Sequence, residues 1–493
     1  MKAIALTQPS RVHLSPWVRP LRLRAGRQTI AYVQVFLSII VAACWFSWGG
    51  DIDHEETIQI LSWALLVATV WYLVSWRLAA KELFDVYPLF LCSATVFNGG
   101  QAILQVLGLN PIGILDGKFS NYLVAQALAL VLISLMFMHA GALIGLSRSG
   151  RARSQTTWCE QSRREVRQVG LALVVFSAIP AALTIATDLS AVTTAGYFTL
   201  YQQEKATGIA GASRVIASLL PGALLFLLAG ATGTRLSRRI PAFMIAAYAA
   251  AYMFMGFRGT AFVITAAALW LWDRAVKPIP RSLLAGALVA ATALLPVVGL
   301  VRNLSDENRF AQDTLQTAWK SVDSPLAATV SEMGGSLLTV VYTVDLVPSR
   351  WPYEYGSTYL YAALTIVPNF FWDIHPSVAH SSSARLIWEV SPATAQKGGG
   401  IGFSYISEAF LNFGWLGTPV AVFLLGYGFG RLTTWLKDRH DPARLATAAA
   451  ALIPLLMYAR SESGNIVRPV IWCAILPYLV VAILRRLARR ERI

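Results

Sequence analysis

The sequence predicts an all-α polytopic membrane protein, and its composition and the placement of its charges support that prediction. Hydrophobic residues make up 56% of the 493 positions, charged residues only 14%, and the mean hydropathy is +0.55. Soluble domains contain about 25% charged residues, so this composition excludes an ordinary soluble class. Lysine and arginine fall in short runs between apolar segments, which is typical of loops at a membrane surface. Despite the net charge of +15, we expect membrane lipids and no nucleic acid as partners.

Twelve apolar segments are long enough, or nearly so, to cross about 30 Å of hydrocarbon as helices. They lie at residues 30–48, 58–75, 84–107, 121–147, 169–187, 215–231, 240–256, 260–272, 283–301, 414–436, 445–460 and 467–484. Nine spans therefore fall within 30–301 and three within 414–484. The run "FNGG" at 97–100 is expected to break the third span, because glycine weakens a helix interior.

The connecting segments predict the orientation, because cytoplasmic loops carry an excess of lysine and arginine. With the N-terminus inside, the cytoplasmic segments hold 28 such residues and the short external loops hold six. The basic arm 1–29 and the basic tail 485–493 then both lie in the cytoplasm. The first apolar run is long and lacks a small-residue cleavage site, so we expect a retained span rather than a signal peptide.

Residues 302–413 form one large external segment between spans nine and ten. Their apolar runs at 337–347 and 357–371 are too short to span the bilayer, so we expect interfacial or re-entrant helices. The segment is rich in aromatic residues. Rings at a membrane surface suit sugars, because they stack on sugar C–H faces while the hydroxyls find polar partners.

The stretch "GGGIGFSYISEAFLNFGWLG" at 398–417 ends this external segment. A helix starting near Ser404 would place Ser404, Glu408 and Asn412 on one face, at i, i+4 and i+8. Gly414 would stop that helix before span ten begins. The pattern predicts a carboxylate and an amide presented together at the outer rim, with Ser404 and Asn412 as candidate substrate-binding residues.

This stretch resembles the signature of the Wzy-type bacterial polymerases of O-antigen and related oligosaccharide repeat units. The sequence "MGFRGTAF" at 255–262 is similar to the Arg-Gly turn between two spans of that family. The layout of many spans, cytoplasmic termini and one large late periplasmic loop is also similar. The resemblance implies a mainly helical, GT-C-like membrane glycosyltransferase in the bacterial inner membrane.

The resemblance also implies a reaction and its partners. A growing chain would move from its undecaprenyl diphosphate carrier to a sugar hydroxyl of an incoming lipid-linked repeat unit, on the periplasmic face. Family members are thought to need no nucleotide sugar and no metal, so no cofactor is expected. A separate polysaccharide chain-length regulator is the protein partner that the resemblance implies.

Arginine is the residue type expected to hold the leaving diphosphate. The sequence shows no external carboxylate cluster at metal-ligand spacing, whereas a guanidinium group binds phosphate oxygens bidentately. The candidates near span ends are Arg258, Arg302, Arg309, Arg460 and Arg468. Each could instead reach toward lipid headgroups. Arg258 is favoured for function, because it lies in a minimal turn beside Gly259 where no solvated loop requires a charge.

Glu408 is the first candidate for the base that accepts the hydroxyl proton. The alternative interpretation is an acid on a helix face that pairs with an arginine. His375 and His380 are further candidates, because imidazole can take a proton near neutral pH, although a lone histidine in a long loop is more often polar surface. Glu462 lies close enough to the arginines of "RSESGNIVR" at 460–468 to pair with them or to orient a sugar hydroxyl.

Three other functions stay open. An O-antigen ligase would share the donor but use lipid A core as acceptor, and only the 398–417 stretch favours the polymerase over it. A lipid-linked oligosaccharide flippase or transporter is disfavoured, because no internal repeat is visible and the spans are largely free of charges. A scaffold within an export complex is the third.

The four scattered cysteines show neither metal nor redox spacing, so no disulfide framework is expected.

Overall fold

All secondary structure in the computed structural model is helical across the described residues, so the all-α prediction is confirmed for them. The structure describes residues 18–48, 54–110, 112–148, 160–197, 199–202, 208–302, 312–322, 324–367, 369, 372, 374–436 and 441–490. The helices are α1 (Val18–Trp48), α2 (His54–Ala80), α3 (Val86–Val106), α4 (Asn121–Ser147), α5 (Glu160–Ala195), α6 (Thr199–Gln202), α7 (Gly208–Ala217), α8 (Leu220–Ala229), α9 (Arg235–Phe254), α10 (Arg258–Ala275), α11 (Arg281–Arg302), α12 (Gln312–Lys320), α13 (Pro325–Met333), α14 (Leu337–Leu346), α15 (Ser357–Leu364), α16 (Pro376–Ala379), α17 (Ser382–Val390), α18 (Pro392–Gln396), α19 (Tyr405–Trp435), α20 (Pro442–Tyr458), α21 (Val467–Val470) and α22 (Leu476–Arg490).

Within these ranges, nine helical segments are long and apolar enough to cross a membrane. They are Gly26–Ser47, His54–Ala80, Val86–Val106, Asn121–Ser147, Glu160–Ala195, Gly211–Ala229, Arg281–Leu300, Tyr405–Trp435 and Ser463–Ala488. Each overlaps a predicted span, although Tyr405–Trp435 begins nine residues before the predicted start at 414. The other three predicted spans are also helical, as α9, α10 and the 17-residue apolar helix α20. The protein is therefore a multi-pass helical membrane protein, and the number of twelve spans stays a prediction.

Helix α3 is continuous through its two glycines, so the predicted break at 97–100 is wrong. A Cβ on Gly100 would lie 2.9 Å from Val330 Cγ1, and one on Gly99 would lie 3.7 Å from the Leu65 side chain. The helix tolerates the cost of glycine, about 1 kcal/mol each, because these positions let α13 and α2 pack closely against it.

The central pair of helices is α4 and α19. Helix α4 is buried along almost its whole length and packs against α19. The two backbones approach each other at four glycines, which are Gly141, Gly145, Gly426 and Gly430. A Cβ on Gly426 would lie only 1.9 Å from Met138 O. This is the small-residue packing typical of membrane helices, and it fixes α19 in the middle of the bundle.

Short helices α12 to α18 fill the segment between α11 and α19. The two predicted non-spanning apolar runs contain helices α14 and α15, which are ten and eight residues long. Helix α14 packs against α4 and α19, and its Leu337, Val340 and Val341 are fully buried. Part of this segment therefore belongs to the folded core. Its periplasmic location stays a prediction.

The bundle has two ends that differ in their polar contacts. We call the upper end the one formed by the starts of α10 and α19 and the ends of α3 and α20, and the lower end the opposite one. At the lower end, Arg485 of α22 bonds to Asp441, which precedes α20, at 3.0 and 3.3 Å. It also bonds to Glu165 of α5 at 3.1 Å. These ion pairs join three helices, whereas the predicted site residues that the structure describes lie at the upper end.

Candidate active site

The carboxylate of Glu408 lies at the centre of a buried polar network at the upper end. Ser404 starts α19 by accepting a hydrogen bond from Ile406 N at 3.2 Å, which confirms the predicted helix start. One turn further on, Glu408 is only 1% exposed. Ser463 donates its backbone N–H to Oε2 at 2.8 Å and its hydroxyl to Oε1 at 2.5 Å, and Tyr458 donates to Oε2 at 3.5 Å.

Neutral groups supply all of these hydrogen bonds to Glu408. Within the described part of the chain, no arginine or lysine forms an ion pair with it, so the alternative of an arginine-paired acid does not describe this residue. Burying a carboxylate without a cation costs several kcal/mol.

Burial and the nearby Glu408 carboxylate raise the pKa of Tyr359 on α15, so its phenol stays protonated.

Asn412 links α19 to the start of α15. Its Nδ2 donates to Thr358 Oγ1 and to Glu408 O, each at 2.7 Å, and its Oδ1 accepts from Gly356 N at 2.7 Å. The side-chain amide therefore has partners at both ends. It holds the loop before α15 directly beside the Glu408 network.

Gly414 interrupts α19, as the sequence predicts. Its φ of 60° and ψ of −160° are accessible essentially to glycine alone. The interruption releases carbonyl groups from the helical hydrogen-bond pattern, and two of them find partners in the loop before α15. Leu411 O accepts from Glu354 N at 3.0 Å, and Asn412 O accepts from Tyr355 N at 3.1 Å. A loop thus becomes bonded to the broken end of a membrane helix.

The predicted face of Ser404, Glu408 and Asn412 exists, but all three residues are buried instead of lining an open rim. Ser404 donates to Asn98 Oδ1 at 2.6 Å, and Asn98 Nδ2 donates to Ala459 O at 3.0 Å. Asn98 thereby ties α3 and α20 to the start of α19. Sequence reasoning missed this residue because it treated the surrounding glycines as a helix break.

Arg258 lies at the start of α10 and its side chain is mostly buried, which does not fit a residue that reaches toward lipid headgroups. Its Nη1 donates to Leu295 O at 2.5 Å, and its guanidinium forms an ion pair with Glu332, whose side chain is half exposed. A Cβ on Gly299 would collide with the guanidinium, so this glycine makes room for it. Arg258 therefore joins α10 to α11 and α13.

Arg258 and Glu408 lie at the same end of the bundle. Gly259, next to Arg258, faces the Met457 side chain, since a Cβ there would lie 3.8 Å from its Sδ and Cε atoms. Met457 precedes Tyr458, whose hydroxyl reaches Glu408. The two stretches that resemble the family thus meet through the end of α20.

Two further predicted arginines flank Ser463 at this end. Arg460 lies over the Phe97 ring at 5.3 Å, and Arg468 donates through Nε to Thr365 O at 2.5 Å. Both stay close to the Glu408 network through the loop that carries Ser463. The structure gives no side-chain position for two other candidates, which are Arg302 at the end of α11 and Arg309 outside the described residues.

Glu462 caps a helix. It is 7% exposed, accepts from Ser381 Oγ at 2.6 Å and accepts from Ser382 N at 2.7 Å. A carboxylate at a helix N-terminus satisfies free N–H groups and interacts favourably with the helix dipole. Within the described residues, the neighbouring arginines of 460–468 form no ion pair with Glu462.

The two histidines flank the short helix α16 and differ in accessibility. His375 is 5% exposed, its Nδ1 accepts from Ser377 N at 3.2 Å, and its Nε2 faces Val367 O at 3.3 Å. His380 is exposed and stacks on the Tyr361 ring at 4.3 Å. Both nitrogens of His375 are therefore occupied locally, and His380 is the more accessible imidazole.

These features define a class: a polytopic membrane protein in which the buried Glu408 network and the arginines Arg258, Arg460 and Arg468 lie at the same end of an apolar helix bundle. Among the described residues, no three His, Cys, Asp or Glu side chains are grouped as ligands for a metal ion.

The family model of the O-antigen polysaccharide polymerase Wzy matches residues 29–491, nearly the whole chain, and the protein belongs to this family. It is therefore a glycosyltransferase-type membrane enzyme that polymerises O-antigen repeat units and acts on lipid-linked oligosaccharides. Neither a search of curated proteins nor a search of solved structures finds a match to this chain.

Proposed function

We propose that this protein polymerises undecaprenyl-diphosphate-linked repeat units on the periplasmic face of the bacterial inner membrane. A sugar hydroxyl of the incoming unit attacks the anomeric carbon at the reducing end of the growing chain. A glycosidic bond forms, the sugar–phosphate bond breaks, the hydroxyl proton goes to a base and undecaprenyl diphosphate leaves. Membership of the Wzy family supports the reaction, and the basic loops support cytoplasmic termini with the upper end in the periplasm.

Glu408 is the base in this proposal. The observation that carries it is the burial of its carboxylate, inside the family-like stretch, with only neutral hydrogen-bond donors around it. Ionisable groups whose proton affinity is shifted by burial are concentrated at functional sites. Ser463 fixes the orientation of the carboxylate by two hydrogen bonds. His380 is the second candidate, because it is exposed directly after the short helix α16.

We further propose that arginines, without a metal ion, stabilise the negative charge that develops on the leaving diphosphate. Arg258 is the first of these, because it lies at the same end of the bundle as Glu408 and the acid with which it forms an ion pair, Glu332, is half exposed. A diphosphate can replace Glu332 as its partner, since phosphate oxygens match the guanidinium fork. Arg460 and Arg468 are the next candidates, and a chain-length regulator is the expected protein partner.

Deletion of the gene tests the reaction. We expect the surface polysaccharide to collapse to a single repeat unit on the lipid A core, and the wild-type gene to restore the full length. Two other outcomes would overturn the proposal. Loss of all O-antigen from the core with accumulation of lipid-linked polymer would indicate a ligase, and loss of periplasmic lipid-linked units would indicate a flippase.

Arg258→Ala tests the diphosphate site. We expect chain extension to be lost while the protein still reaches the membrane, because the guanidinium is proposed to bind the leaving group. Arg258→Lys is the matched control: it keeps the charge but not the planar fork, so extension should be partly retained. Full-length polysaccharide from Arg258→Ala would remove this residue from the site.

A further inference from the structure

An apolar groove runs along the outside of the bundle between α5, the start of α8 and α22. It encloses about 450 Å³. Its walls include Ala172 on α5, Leu219 before α8, and Trp472, Val480 and Leu484 on the C-terminal segment. From Trp472 to Leu484 the groove follows about 18 Å of helix, at 1.5 Å per residue. It therefore extends over more than half of the roughly 30 Å hydrocarbon thickness.

A cation, Arg468, lies one helical turn before Trp472, which lines one end of the groove. Trp472 lies on a π-helical turn, Ile471–Ile475, which is an uncommon element found frequently at functional sites. Its Nε1 donates to Ile366 O at 3.1 Å, and Arg468, one turn earlier, donates through Nε to the preceding carbonyl, Thr365 O. Within the described residues, the two Nη groups of Arg468 have no hydrogen-bond partner. The apolar groove could hold a hydrocarbon chain, and the guanidinium beside its end could bind a phosphate. Together they fit a lipid with a phosphate head group.

The same contacts join the groove to the Glu408 network. Thr365 and Ile366 follow α15 directly, whereas Thr358, near its start, bonds to Asn412 beside Glu408. Helix α15 has eight residues and is therefore about 12 Å long. Arg468 also lies only five residues after Ser463 along the chain. A head group at Arg468 would thus be one short helix away from the proposed base.

We propose that this groove binds the isoprenoid chain of the lipid-linked substrate, with Arg468 on its diphosphate. The inference rests on the proposed function for the choice of isoprenoid over ordinary membrane lipid. The apolar walls hold the hydrocarbon chain, and Arg468 keeps the diphosphate at the upper end, so the attached saccharide is delivered to Glu408. The groove determines where the carrier lies during the reaction.

The test uses the purified full-length protein in lipid nanodiscs and a photoactivatable undecaprenyl diphosphate as the probe. We expect saturable labelling of the α5 and α22 segments, and at least tenfold weaker labelling of Ala172→Trp, which fills the groove from an exposed position. Ile179→Trp, on the exposed surface of the same helix, is the matched control and should label like the wild type. Arg468→Ala should weaken labelling by the diphosphate probe but not by a matching undecaprenol probe.

Two outcomes would overturn this proposal. One is equal labelling of Ala172→Trp and Ile179→Trp. The other is competition by phosphatidylglycerol as effective as that by unlabelled undecaprenyl diphosphate, which would show an ordinary membrane-lipid contact. Neither outcome alters the polysaccharide pattern of the deletion strain, so failure of the groove proposal and failure of the polymerase proposal are distinguishable.

Val480→Trp provides a second groove-filling variant on the opposite wall.

Discussion

Two buried carboxylates at opposite ends of the helix bundle, Asp441 and Glu408, have different kinds of partner. At the lower end, Asp441 is 2% exposed and accepts two hydrogen bonds from Arg485, which also bonds to Glu165. At the upper end, Glu408 is equally buried but accepts from the hydroxyl and backbone N–H of Ser463. The lower carboxylates have opposite charges beside them, whereas the charge of Glu408 is balanced by neutral dipoles alone.

This difference separates stabilising groups from groups available for chemistry. At the lower end the ion pairs connect α5, α20 and α22, and each charge is already satisfied. At the upper end, ion pairs such as Arg258–Glu332 and Arg214–Asp188 each have one member that is about half exposed. A half-exposed partner can be displaced by a substrate more readily than a buried one. Substitutions at both ends of the bundle test this division.

The largest effect is expected from Glu408→Gln. The amide keeps the shape but turns one acceptor oxygen into a donor facing Ser463, and it cannot take a proton. Chain extension should fall by on the order of 10²–10⁴-fold, the contribution of a positioned base. Polysaccharide length on gels and the amount of protein in the membrane are the measurements. Full-length polysaccharide from this variant would remove Glu408 from the reaction.

The equivalent change at the lower end, Asp441→Asn, should act on stability instead. It removes the negative charge that Arg485 contacts at 3.0 and 3.3 Å, while Arg485 keeps Glu165 at 3.1 Å. Loss of a hydrogen bond between charged groups costs on the order of 1.5–3 kcal/mol. We expect a lower melting temperature in detergent and less protein in the membrane, with nearly normal extension per folded molecule. A stable but inactive Asp441→Asn protein would contradict the division between the two ends.

Gly414→Ala should have an intermediate effect at the upper end. An alanine would have to adopt φ of 60° and ψ of −160°, a conformation that costs about 1–3 kcal/mol, and its Cβ would lie 2.9 Å from Tyr353 Oη. We expect the loop before α15, which bonds to the carbonyl groups of Leu411 and Asn412, to become less stable. Faster amide hydrogen exchange at 353–357 would show this. Gly428→Ala is the control in the same helix, since a Cβ there meets nothing within 4 Å. Equal exchange in the two variants would refute the structural role of the break.

The sequence predicts the helical elements well, because composition and hydrophobic length act locally. Nine predicted spans overlap long apolar helices, and Gly414 interrupts α19 where expected. The run at 97–100 shows the limit of this reasoning. Its glycines are costly in an isolated helix but are stabilised here by neighbouring helices, a tertiary effect that no local pattern contains.

The partners of the predicted site residues could not be derived from the sequence for a similar reason. Glu408 and Ser463 are 55 positions apart, and Ser404 and Asn98 are 306 apart. Serine and asparagine are common residues, so nothing in their local sequence marks them as neighbours of a buried acid. Placement at the same end of adjacent helices was the only available signal. It is sufficient to group Arg258 with Glu408 but not to assign individual contacts.

Glu462→Gln should produce the smallest effect and sharpens the comparison most. Glu462 resembles Glu408 in being buried and bonded to neutral donors, but its partners, Ser381 and Ser382, are at the start of α17. Loss of a helix cap costs about 1 kcal/mol, so amide exchange at 382–390 should accelerate while chain extension stays within about twofold of wild type. Unchanged exchange together with lost extension would place Glu462 in the chemistry and would show that neutral hydrogen bonding alone does not single out Glu408.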